Sequence, residues 1–236
     1  MRIEFGISAA LVTPFDTNGN VDHSALINHA KHTVSLGADG VTLFGTTGEG
    51  ASLSQPERTA FLESIVAADF DMSCVTVAVY ANSVQDAFEQ AKIAFDHGVR
   101  RILLPPPFYF KDIGIDALSQ WFGQVMAVLP TGMQVILYHI PQITMVPLPP
   151  QMVHDLQQEF PDQVVAVKDS SGVWENSAEL LKNPELAVLI GKPLTNASAS
   201  EAQAAILGYG LALDLTLRDL QTQLKEKGHP WERAKA

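Results

Sequence analysis

A single cysteine, Cys74, stands in the 236 residues, so no intrachain disulfide can form. Flanked by apolar residues in SCVTVAVY, Cys74 is expected to be a buried thiol, and a chain without disulfides suits a reducing cytoplasm. Cations are scarce too. Fifteen Lys and Arg stand against 26 Asp and Glu, a formal charge of −11, which repels phosphate backbones and anionic headgroups and argues against nucleic acid as a partner. No apolar run approaches the ~20 residues of a membrane-spanning helix. The opening MRIEFGISAALVTPFD carries an acid at Glu4 and too short an apolar stretch for a secretory signal, so no membrane partner is expected. His23, His29, His32, His97, His154 and His229 are dispersed, and none joins a cysteine or carboxylate at a zinc-ligand spacing, which predicts no metal site. His29 and His32 can share a helix face, read here as a solvated one. The absence of a Gly-x-Ser-x-Gly elbow argues against a serine hydrolase.

What is present is a regular alternation. Apolar, strand-like runs end near Thr13, Gly45, Tyr80, Pro105, Tyr138, Lys168 and Gly191, at intervals of about 30 residues, the length of a βα unit. Several are nearly continuous in Val, Ile and Leu, as expected of parallel strands covered on both faces. Helix signals lie between them: Ser54 with Glu57 three residues on, Pro56 in a first turn, and Gly37 and Gly98 just past the helices ending HTVSL and AFDH. This pattern predicts an α/β fold, a (β/α)8 barrel, which typically takes ~250 residues and carries its site at the C-terminal strand ends. A doubly wound open sheet is the rival, but ISAALVTPFDTNG lacks the glycine-rich fingerprint expected after its first strand.

The candidate chemistry gathers at those ends. Lys168 closes VVAVK, and strict alternation turns it to the side of Ala166 and Val164, the barrel interior. Burial disfavours an ammonium, so an amine at such a position can attack a carbonyl and form a Schiff base; most strand-end lysines, by contrast, simply reach solvent. Tyr138 closes the preceding run and turns inward with Ile136, while His139 turns away and reads as structural. A phenol beside an amine nucleophile can move protons to and from a carbinolamine, the competing reading being a core tyrosine with a satisfied hydroxyl. The loop GTTGEG, Gly45 to Gly50, offers two hydroxyls and backbone N–H groups between glycines, which suits a carboxylate. It lacks the Lys-Ser or Lys-Thr pair of a phosphate-binding P-loop. Phe108, Tyr109 and Phe110 follow three prolines and read as a rigid pocket wall or ordinary packing.

Together LGADGVTLFGTTGEGASLS, LLPPPFYFKD, VILYHIP and VVAVKDSSG, in this order and spacing, resemble the dihydrodipicolinate synthase and N-acetylneuraminate lyase superfamily of class I aldolases. The resemblance covers about residues 4 to 191, with an echo in LKEKGHPWERAKA. It implies that Lys168 is the Schiff-base lysine for pyruvate or another 2-oxo acid and Tyr138 the proton shuttle. Thr46, Thr47 and Gly48 would bind the carboxylate, with Thr46 and Thr47 also connecting to the shuttle and Thr47 counted with the catalytic residues. Tyr109 would match a tyrosine that neighbouring subunits lend to the relay, implying a homo-oligomer, a dimer or tetramer. No cofactor is required.

Two departures bear on function. Synthases proper place an arginine two residues after the proline of the YxxP segment, to hold the second substrate's carboxylate; here that position is Ile143. A lyase or aldolase acting on a 2-oxo acid is therefore the leading reading, and dihydrodipicolinate synthase the alternative. After Gly191 no convincing seventh helix or eighth strand follows, and AILGYGLALDLTLRDLQTQLKEKG reads as C-terminal helix. A segment is expected to be missing between about Lys192 and Ala205, leaving a barrel domain over residues 1–205 and a helical segment over 206–236. That deficit also keeps open a catalytically impaired homologue acting as a binding or assembly protein.

Overall fold

The computed structural model describes residues 6–181. Six strands form one all-parallel sheet in sequence order: β1 (Ser8–Ala10), β2 (Gly40–Leu43), β3 (Val75–Ala78), β4 (Arg101–Leu104), β5 (Gln134–His139) and β6 (Val164–Asp169). Helices separate them: α1 (His23–Ser35), α2 (Gln55–Ala67), α3 (Val84–Asp96), α4 (Ile115–Val128), the short α5 (Pro141–Thr144) with α6 (Pro150–Glu159), and α7 (Trp174–Leu181). These are successive units of a (β/α)8 barrel. The six predicted strand ends from Thr13 to Lys168 fall within three residues of the observed ones; the run ending at Gly191 and the expected break after it lie outside the described residues.

Local chemistry sets the helix boundaries. Asp22 caps α1 through the Ala25 amide, and Ser54 with Glu57 closes a capping box on α2. Ser83 accepts the Asp86 amide at the start of α3. Such caps contribute about 1 kcal/mol each. Gly37 and Gly98 follow α1 and α3 at φ 104° and 90°, a left-handed conformation that glycine adopts without steric cost.

The apolar residues sort into three clusters. Val41, Leu43, Val75 and Val77 pack beneath α1 and α2 on Leu26, Phe61 and Ile65. Ile102, Leu104, Val135, Leu137, Val164 and Val167 pack beneath α3, α4 and α6. Ala78, Leu103, Ile136, Tyr138 and Ala166 form the third cluster on the opposite, inner face of the sheet. Ala78, Leu103, Ile136 and Ala166 are successive register partners across β3 to β6, one layer of barrel filling. Tyr138 and Lys168 pair one step nearer the C-terminal ends.

The strict alternation expected along β6 fails at one point. A register irregularity between Val135 and Ile136 leaves Val165 as an extra residue, so Val164 lies with the outer cluster although Ala166 lies with the inner one. Cys74, at the entry of β3, is half-buried rather than fully buried, its Sγ 3.0 Å from the Asp71 carbonyl, because it precedes the strand instead of lying within it. His32 is exposed, whereas His29 is half-buried, and burial together with the nearby His32 disfavours its charged form. Among the described residues no helix is long and apolar enough to cross a membrane, and no group of three or more His, Cys, Asp or Glu is arranged to hold a metal ion.

Candidate active site

Four strand ends meet at the C-terminal face of the barrel. Lys168 is buried at 6% exposure, with its Nζ 4.7 Å from the centre of the Tyr138 ring. No carboxylate lies within ion-pair distance of it among the described residues. Asp169, its neighbour in sequence, faces the other way and belongs to a different network. Its Oδ1 lies 3.1 Å from His139 Nδ1 and accepts the Ser171 amide, and its Oδ2 accepts Ser177 Oγ of α7 at 2.7 Å. Burial opposes ionisation of this carboxyl, but the bonds from His139, Ser171 and Ser177 prevail and hold it at about 2. His139 is itself buried, and its Nε2 has no partner among the described residues.

The GTTGEG loop is held by close packing. Phe44, the residue after β2, adopts φ 57° and Glu49 φ 51°. A side chain on Gly50 would place its Cβ 1.7 Å from the Phe44 carbonyl oxygen, and one on Gly48 would stand 2.7 Å from that of Leu11. Thr13 Oγ1 donates to the Gly48 carbonyl at 2.6 Å. The N–H groups of Glu49 and Gly50 are taken by the Thr46 and Gly45 carbonyls. Those of Thr46, Thr47 and Gly48 have no acceptor among the described residues. Three such groups in one tight turn form a concavity suited to an anion.

Of the two threonines, Thr46 reaches the phenol: its Oγ1 lies 3.4 Å from Tyr138 OH. Thr47 is buried beside it, but no hydrogen bond joins Thr47 to Tyr138. Tyr109 is not part of this cluster. It is 73% exposed, stacked edge-on against the exposed Phe110. The reason lies in Asn82, whose Oδ1 accepts the amides of both Phe108 and Tyr109 and turns the tip of the loop outward. Asn82 was not singled out in the sequence; an Asn just past a strand end was the available signal. Ile143 sits on α5 at 59% exposure.

The strand ends, the buried amine and the glycine-rich turn match one known family, whose model covers residues 4–209 under the description dihydrodipicolinate synthetase family. The chain belongs to that family. It is 36% identical to a DapA-like lyase of Chloroflexus aurantiacus over 88% of this chain and 70% of that protein. Among solved structures it is similar to a dihydrodipicolinate synthase from Agrobacterium tumefaciens, with 46% identity, a TM-score of 0.74, and coverage of 76% of this chain and 63% of the other. It is similar also to the 2-keto 3-deoxygluconate aldolase from Picrophilus torridus, at 28% identity and TM-score 0.70 over 77% of this chain and 65% of that one. The chain spans 55% to 70% of the length of its curated relatives. The solved structures similar to this chain thus include both a synthase and an aldolase.

Proposed function

We propose that the chain is a class I lyase that takes pyruvate or another 2-oxo acid through a Schiff base on Lys168. The observation that carries this reading is the pairing of Tyr138 with Lys168 at the strand ends, a buried amine beside a phenol and without a carboxylate partner among the described residues. The amine adds to C2 of the acid, and protonation of the carbinolamine oxygen lets it leave as water, giving the imine. Loss of a proton from C3 then yields an enamine. Its C3 attacks an acceptor carbonyl, or the reverse sequence cleaves that bond; in a longer 2-oxo acid, the same enamine expelling a hydroxyl from C4 as water is the dehydrating variant. Tyr138 carries these protons, and the N–H groups of Thr46, Thr47 and Gly48, which have no acceptor among the described residues, hold the carboxylate together with the Thr47 hydroxyl. The aldolase among the similar structures supports this chemistry. Tyr109, projecting into solvent, fits a residue lent to a second copy, and we place the protein in the cytoplasm as a homo-oligomer.

The test is incubation with pyruvate and borohydride, followed by peptide mass analysis. A 1-carboxyethyl group on Lys168 is expected; label on another lysine, or none, would overturn the reading. A second reading, condensation of pyruvate with aspartate semialdehyde as in a dihydrodipicolinate synthase, is favoured by the 46% identity to the Agrobacterium tumefaciens synthase. Ile143 counts against it.

A further inference from the structure

Tyr80 closes the run of β3 and was not among the residues singled out for chemistry. Its backbone is held from both sides by one side chain of α3: Gln90 Oε1 accepts the Tyr80 amide at 3.1 Å, and Gln90 Nε2 donates to the Tyr80 carbonyl at 2.8 Å. Gln90 Oε1 also accepts Arg58 Nη1 at 2.6 Å, and Arg58 Nη2 donates to the Ala78 carbonyl. Arg58 is a buried cation, 5% exposed, lying 5.0 Å over the Phe44 ring and without a carboxylate within ion-pair distance among the described residues. Burying a charge and an amide together is costly unless both are fully engaged. Here they are spent on fixing one residue.

That residue points at the hydroxyl already described. Tyr80 OH lies 3.4 Å from Thr46 Oγ1, the same separation as Tyr138 OH on the other side. Contacts this long are common around reacting groups before substrate binds and tighten afterwards. A threonine hydroxyl has one proton and accepts through its lone pairs. Between two phenols it can accept from one while donating to the other. Burial pushes Tyr80 up to about 12, so it stays the donor through the ordinary pH range.

We propose that Tyr80 is a positioning residue for the reaction: it donates to Thr46, turns the Thr46 proton toward Tyr138, and so presents Tyr138 oxygen as a proton acceptor. This rests on the reading of Lys168 and Tyr138 as the reacting pair, and it adds a phenol supplied by the same chain. No proton is lost from Tyr80 in the process; it fixes the direction in which Tyr138 exchanges one. The ionisable groups facing the chain are Lys168 of β6, over the Tyr138 ring, and Arg58 of α2, beside Tyr80; His139 and Asp169 bond each other on the opposite face.

The experiment uses the full chain and pyruvate alone, following exchange of the C3 protons with deuterated solvent by NMR. Tyr80→Phe should lower the exchange rate at saturating pyruvate roughly 10- to 100-fold, the range for partners that orient a reacting group. The pyruvate concentration for half-saturation should stay unchanged. Borohydride trapping at Lys168 should still go to completion. In a Thr46→Val background, Tyr80→Phe should cost nothing further, because its route is already cut. An unchanged exchange rate in Tyr80→Phe, or a further loss in the Thr46→Val background, overturns the proposal while leaving the Schiff-base reading intact. Failure of the wild-type protein to trap or exchange pyruvate overturns both.

Discussion

Tyr138 and Lys168 are register partners on β5 and β6, and the lysine Nζ stands 4.7 Å over the phenol ring. One position further on, His139 and Asp169 are also partners, 3.1 Å apart and facing away from the barrel interior. Two adjacent rungs of one ladder thus carry two separate tasks.

The inner rung gives the first prediction. Tyr138→Phe removes a proton carrier without changing the volume that packs on Ile136 and Ala166, so turnover should fall ~10²–10⁴-fold with little change in half-saturation. Lys168→Ala should abolish turnover altogether. Steady-state kinetics on both variants, with circular dichroism to verify folding, provides the check; near wild-type turnover in the phenylalanine variant would return Tyr138 to a packing role.

The outer rung gives a pH dependence. Asp169 is lowered from its ordinary 3.8 to about 2, so its folded form prefers the carboxylate. The stability this supplies is fully present above about pH 4 and is lost as pH falls through about 2. Asp169→Asn should therefore lower the urea midpoint at neutral pH, and the gap from wild type should close on acidification across that window. A gap constant down to pH 2 would show that the bonds from His139 and Ser177 do not favour the charged form.

Much of this architecture is legible in the chain. Near-continuous Val, Ile and Leu runs announce parallel strands because both faces are covered, and Ser54 with Glu57 marks a helix start because the box closes within four residues. Lys168 and Tyr138 were visible because strand ends can be counted. Tyr80 could have been found by the same count, but its partner Thr46 lies 34 residues away and depends on the curl of the sheet. The same holds for Asn82, which fixes the Tyr109 loop from 27 residues away. Contacts of that separation are made by tertiary packing, which no local pattern encodes.

The glycine-rich turn should be intolerant of even one methyl group. At Gly50 an added Cβ meets backbone, not a side chain able to move aside, so Gly50→Ala should cost about 1–3 kcal/mol and displace the Thr46–Gly48 amides. Thermal unfolding and pyruvate half-saturation are the measurements. Unchanged values in both would mean that the loop has room to shift.

On the proposed reading substrate choice turns on Ile143, which is 59% exposed and cannot make the charge-assisted bond an arginine makes to a carboxylate, an interaction contributing about 1.5–3 kcal/mol. Condensation of pyruvate with aspartate semialdehyde should accordingly be weak, and Ile143→Arg should raise it. Efficient condensation by the wild-type protein would promote the synthase reading.

The extra residue at Val165 has a consequence for how this strand tolerates change in length. Because the ladder is irregular only between Val135 and Ile136, everything beyond that point takes its phase from Tyr138, and the entry of the strand takes its own from Val135. Removing Val165 would bring Val164 and Ala166 into ordinary alternation and leave the amine on the same side. The bulge works as a slip joint: the base of the barrel can gain or lose a residue to suit its helices without rotating Lys168 off the inner face.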